Sequence, residues 1–218
     1  MYEGLLLICL GAAIGWAASR SLARARRTAA VPAGWCATAT GALWGVVWGL
    51  GETGALPSWW LPVPLAATAF AVPLASADLL YRRLPDVLTL PAYGLAGAAV
   101  GTAAISGPGP PLAVTALAGG GVTLAAHLLV HGIAPDSLGA GDVKLSGSLG
   151  MLAAAAGWPT LVFSLVSASL LTAGLAGAAA LVGSRRWSGG VPHGPGLLAA
   201  TCLGVVFPGE ASVVGMGS

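Results

Sequence analysis

Gly139-Ala140-Gly141-Asp142-Val143-Lys144-Leu145 breaks two long apolar stretches with two glycines and an aspartate. An acid at the edge of a membrane core is costly and usually functional. The glycines allow close backbone approach and angles that other residues avoid. A second such place lies upstream, where Asp78 closes an apolar run and Leu79-Leu80-Tyr81-Arg82-Arg83-Leu84-Pro85-Asp86 follows. The reading that organises the chain is that Asp78 and Asp142 meet and form one catalytic pair. The surroundings are those of a bilayer protein. Of 218 residues, 56% are hydrophobic and only 7% charged, with mean hydropathy +0.87. Soluble domains carry about 25% charged residues. The runs lack the period-two alternation of outer-membrane barrels, so the expected class is all-α and polytopic. One membrane domain over residues 1–218 is expected, with no soluble domain.

Working outward, a span needs about 20 helical residues, within about 17–25. Expected spans lie at about 4–19, 34–50, 62–78, 87–105, 112–131, 144–158, 159–183 and 194–208. The segments 144–158 and 194–208 are short, and charge decides in their favour. With eight spans, Arg20, Arg24, Arg26, Arg27, Arg82, Arg83, Lys144, Arg185 and Arg186 all fall on one side. By the positive-inside rule that side is cytoplasmic, and Glu3, Glu52 and Glu210 lie opposite with both termini. The first run is no secretory signal, because its basic residues follow it. Gly41, Gly45 and Gly49 form a small-residue stripe on the second span. Trp59-Trp60 reads as an interfacial pair in an outer loop. Cys9, Cys36 and Cys202 form no Cys-x-x-Cys and read as small buried hydrophobes.

Two neighbouring carboxylates share one proton, so one member accepts a proton from water while the other donates. That is aspartic-protease chemistry without metal or cofactor. The Gly139–Leu145 stretch resembles the GxGD-x-K-L motif of the type IV prepilin peptidases. Asp78-Leu79-Leu80-Tyr81-Arg82-Arg83-Leu84-Pro85-Asp86-Val87-Leu88-Thr89-Leu90-Pro91 is similar to that family's first-aspartate segment. Pro192-His193-Gly194-Pro195 resembles its Pro-x-Gly-Pro before the last helix. The resemblance covers about residues 62–208. It implies a peptidase of the cell membrane, active at the cytoplasmic face. It implies Asp78 and Asp142 as the catalytic pair. It also implies prepilins or pseudopilins, trimmed of a short basic leader, as substrates. Bifunctional relatives carry a cysteine-paired cytoplasmic domain and also methylate the new N-terminus. Here that place holds only about Arg20–Ala33, without a cysteine pair, so peptidase activity alone is expected.

Other roles are weighed residue by residue. Asp142 also suits a helix N-cap, and Asp78 a surface partner for Arg82. Gly139, Gly141 and Lys144 support the motif, Lys144 either as a headgroup anchor or as a charge near the pair. Asp86 reads first as a helix cap and Asp136 as a turn residue. Both are candidate contacts for a basic leader, together with Asp78 and Asp142. His127 and His131 share a helical face, but no third ligand is near, so no metal site is expected. Arg20–Arg27 reads as a topology and headgroup signal. The expected partners are the bilayer and a prepilin-type substrate, and no nucleic acid. The competing functions are another GxGD protease, or a small transporter or scaffold whose paired acids relay protons. Transport predicts acids at mid-membrane beside broken helices.

Overall fold

The computed structural model describes residues 2–135, 138–183 and 191–207. Among these the chain is helical, and no strand forms. The order is α1 (Tyr2–Arg24), α2 (Ala33–Glu52), a short 3-10 turn (Ser58–Trp60), α3 (Pro62–Ala69) and α4 (Ala71–Tyr81). There follow α5 (Asp86–Ser106), α6 (Pro110–Ile133), α7 (Ala140–Ala155), α8 (Trp158–Leu181) and α9 (Gly194–Val206).

Five segments are long and apolar enough to cross a bilayer: Tyr2–Arg24, Ser58–Tyr81, Asp86–Ser106, Pro110–Ile133 and Trp158–Leu181. Each of the eight expected spans has helix at its place. However, α2, rich in glycine, threonine and tryptophan, is not among the five, and α7 and α9 have only 16 and 13 residues. The architecture is that of a polytopic membrane protein. The third expected span differs from a plain rod, because it breaks at Phe70 between α3 and α4. Pro73 explains the break: it offers no N–H to the Ala69 carbonyl, and its ring collides with that carbonyl.

The short α7 sits at the centre. At about 1.5 Å per residue it is about 24 Å long. Thirteen of its sixteen residues are buried, which suits a helix enclosed by protein rather than lipid. It runs antiparallel to α6. Gly119 and Gly120 of α6 lie against Ala154, Met151, Gly150 and Gly147 of α7, so the two backbones approach closely. On α1 and α2 the same device recurs, with Gly41 against Ile8 and Ala12, and Gly45 against Ile8. Gly49 of the expected stripe faces open space. The cysteines differ from one another: Cys36 is buried, Cys202 half-buried and Cys9 exposed, so Cys9 is no core residue.

The two ends of the bundle are unlike. At one end Trp60 is buried rather than interfacial, and its indole N–H donates to the Val205 carbonyl at 3.0 Å, pinning the end of α9. Trp59 packs on Gly107 beside it. At the other end gather the close of α1, α4 and α6 and the start of α2, α5, α7 and α9. Tyr81 ties this end together by donating to the Ala30 carbonyl at 2.7 Å. All seven described basic residues belong to this end, whereas Glu3 and Glu52 lie on the opposite ends of α1 and α2. Arg185, Arg186 and Glu210 lie outside the described residues.

Candidate active site

Asp78 lies in the last turn of α4, facing inward, at 5% exposure. It is therefore no surface carboxylate. The helix stops just beyond it because Arg82 adopts a left-handed backbone (φ 52°) and returns its N–H to the Asp78 carbonyl at 2.7 Å. A left-handed non-glycine residue is costly and tends to occur at functional turns. The chain then turns through Leu84-Pro85 into α5.

Asp142 comes from a different helix. Gly139, not Asp142, is the N-cap of α7, and Asp142 is the third helical residue. From there its carboxylate reaches back to the Gly139 backbone N–H, the returning half of a capping box. This corrects the N-cap alternative and explains the aspartate's orientation. Gly141 is required by contact: a Cβ there would stand 2.8 Å from Leu84 Cβ and 3.2 Å from the Leu84 carbonyl oxygen. The two glycines thus have separate physical reasons, one at the cap and one where α7 meets the α4–α5 turn.

The carboxylates meet at Gly194. Its backbone N–H donates to Asp78 Oδ2 at 3.2 Å within the buried interior. A Cβ built on Gly194 would stand 2.7 Å from Asp78 Oδ2 and 3.3 Å from Asp142 Oδ1. Those two oxygens are thus no farther apart than these distances laid end to end. Asp142 Oδ1 is buried and has no hydrogen-bond partner. A buried oxygen without a donor is a costly arrangement that a shared proton or a water would relieve. Gly194 is the site residue that the sequence reading quoted within Pro192–Pro195 but gave no role. The signal available was a glycine at a helix start, and nothing in the sequence said which acid it would meet.

Both acids line one cavity of about 950 Å³ at the basic end of the bundle. Its wall also includes Arg24, Arg26, Arg27, Arg82, Arg83, Asp86 and Lys144, so six basic residues face three acidic ones. Three of the four acids expected to meet a basic leader, Asp78, Asp86 and Asp142, thus share this cavity with a basic rim. Asp86 is the first helical residue of α5 rather than its cap, and Lys144 Nζ grips both of its oxygens at 2.8 and 2.9 Å. Lys144 therefore ties α7 to α5. Both side chains of this bridge are well exposed, and such pairs contribute about 0–1 kcal/mol. Lys144→Met and Asp86→Asn should each lower cleavage by less than about 5-fold, read from initial rates on a common substrate. A loss as deep as that of an Asp78 variant would show that the bridge is part of the chemistry. Asp136 lies outside the described residues.

No group of three His, Cys, Asp or Glu side chains placed to share a metal ion forms among the described residues. His127 and His131 point their Nδ1 atoms at backbone carbonyls of Thr123 and Leu138. The transport alternative expected acids beside a broken helix. The break at Phe70 does exist, but Asp78 lies about two turns beyond it, Asp142 is on a different helix, and both sit at helix ends.

A model of the type IV leader peptidase family matches residues 65–177, more than half of the chain, and both acids lie within the match. No curated protein and no solved structure matches the chain.

Proposed function

The chain belongs to the type IV leader peptidase family, and on that premise we propose that Asp78 and Asp142 form the catalytic pair of an aspartic endopeptidase. The observation that carries this is the meeting of two buried carboxylates from separate helices across Gly194, with one oxygen left without a donor. Two acids this close do not both ionise readily, so they hold one proton between them. The ionised member takes a proton from a water as that water attacks the scissile carbonyl carbon. The protonated member donates to the carbonyl oxygen. The tetrahedral diol then collapses, and a proton passes to the leaving nitrogen as the C–N bond breaks. Gly194 N–H fixes the orientation of Asp78 and Gly139 that of Asp142, so both acids are set before substrate arrives.

We place the substrate as a prepilin or pseudopilin whose short leader enters from the cytoplasmic face of the cell membrane. The seven basic residues at the cavity end support that face by the positive-inside rule. In a cysteine-free background, Thr28→Cys should react with a membrane-impermeant thiol reagent only after the cell is opened. Ser106→Cys should react in intact cells without an outer-membrane barrier. The reverse pattern would move the site to the other face.

Asp86, paired with Lys144 at the cavity, and Asp136, by its sequence position, remain proposed leader contacts. Peptidase activity without methyl transfer is the proposed range. The linker between α1 and α2 is short and carries no cysteine pair. The deciding experiment is co-expression with a prepilin in a host lacking its own enzyme, with leader removal followed on a gel. An uncut prepilin beside correctly inserted protein would overturn the reading.

A further inference from the structure

All three histidines of the chain are engaged with groups that adjoin the two acid-bearing segments. His131, in the last turn of α6, places Nδ1 2.7 Å from the Leu138 carbonyl. A carbonyl only accepts, so Nδ1 is the donor. Leu138 directly precedes Gly139, whose N–H bonds the Asp142 carboxylate. His193 directly precedes Gly194, whose N–H bonds Asp78. Its Nδ1 lies 2.9 Å from Thr172 Oγ1 on α8. The Thr172 hydroxyl gives its single proton to the Ala168 carbonyl at 2.9 Å. Thr172 must then accept from His193, and here too Nδ1 is the donor. His127 donates Nδ1 to the Thr123 carbonyl at 2.9 Å and rests its ring 6.1 Å from that of His193. One helix, α6, thereby touches both segments.

We propose that His131 and His193 are positioning residues for the peptidase reaction: each uses an Nδ1–H donor to hold the backbone segment whose next N–H orients one catalytic carboxylate. His131 sets Gly139 for Asp142, and His193 sets Gly194 for Asp78. The proposal rests on reading Asp78 and Asp142 as the catalytic pair. The physical need is plain. Residues 138–139 and 191–193 are irregular backbone, with few ladder bonds of their own to fix a peptide plane. Carboxylates that work as a pair must be held to fractions of an ångström, and supporting hydrogen bonds do that holding. From the sequence, His127 and His131 read only as a helical pair without a third metal ligand, and His193 had no role of its own. The bonds instead assign His131 and His193 the same tautomer and the same task.

Side-chain geometry supplies the test. The amide nitrogen of asparagine falls where histidine Nδ1 lies, that of glutamine falls where Nε2 lies, and leucine keeps bulk without a donor. In the purified full-length protein acting on a prepilin, His193→Asn and His131→Asn should keep kcat within about 3-fold of wild type. The Leu and Gln variants should lose about 10- to 100-fold in kcat with KM nearly unchanged. Amide hydrogen exchange in the same samples needs no activity. The Gly194 amide should lose protection in His193→Leu and keep it in His193→Asn, with the Gly139 amide behaving likewise for His131. Thr172→Val removes the His193 acceptor with little change of shape, so it should reproduce the His193→Leu result should that variant not fold. Equal losses in the Leu and Asn variants, or unchanged exchange in the Leu variants and Thr172→Val, would overturn the proposal. If the wild type removes no leader, the protease reading falls, while exchange still decides whether the histidines hold these peptides.

Discussion

Asp78→Asn and Asp142→Asn should each abolish leader removal while leaving the protein inserted and folded. Asparagine keeps the size and most of the packing of aspartate, but it can neither take a proton from water nor share one with its neighbour. Triad-type knockouts cost about 10⁴- to 10⁶-fold when the members act as a unit, and a loss of this order is expected here. The double variant should be no worse than either single, because the second change removes a group that has already lost its function. Initial rates on a prepilin, with membrane insertion checked on the same preparations, are the measurement. Cleavage within about 10-fold of wild type by either single variant would dismiss the pair. Stability should change little, because asparagine keeps the size and packing of aspartate.

Gly194→Ala should cost about 100-fold in rate, although it removes no functional group. The added methyl would stand 2.7 Å from Asp78 Oδ2, 3.1 Å from Leu84 Cδ1 and 3.3 Å from Asp142 Oδ1. It enters the space where the two carboxylates face one another. Something must move, and two of the near atoms are oxygens of the proposed catalytic pair. A displacement of about 1 Å at such atoms costs about 100-fold in rate. The stability cost of overpacking is smaller, about 1–3 kcal/mol, so the protein should remain folded. Gly121→Ala is the control, because a Cβ there meets open space on the same bundle. Cleavage close to wild type by Gly194→Ala would mean that the two carboxylates do not act across this glycine.

Much of this was legible in the chain itself. Composition dictated a helical membrane protein, because lipid admits only helices or closed barrels and the apolar runs lack a barrel's period-two alternation. The two acids stood out because few others interrupt those runs. The family resemblance read from Asp78–Pro91 and Gly139–Leu145 agrees with the matched family. Span boundaries were close wherever glycine, proline or charge marked them. Gly157 between α7 and α8 is one such place, where a left-handed glycine (φ 117°) separates two helices that hydropathy alone would merge.

What the sequence by itself determined was the set of local and additive properties: apolar length, the sidedness of charge, the turn residues and the two costly acids. Tertiary structure alone decided which groups meet. Lys144 pairs with Asp86 across 58 positions of chain, and Gly194 reaches Asp78 across 116. Asp142 turns back to its own cap, and the cavity mouth is basic although the pair within it is acidic. None of these follows from periodicity, because helix spacing fixes neighbours three and four residues apart and says nothing of which helix packs alongside. That choice comes from close approach of small residues, Gly119 and Gly120 on α7 or Gly141 on Leu84, and it sets the depth and rotation of every side chain the helices carry.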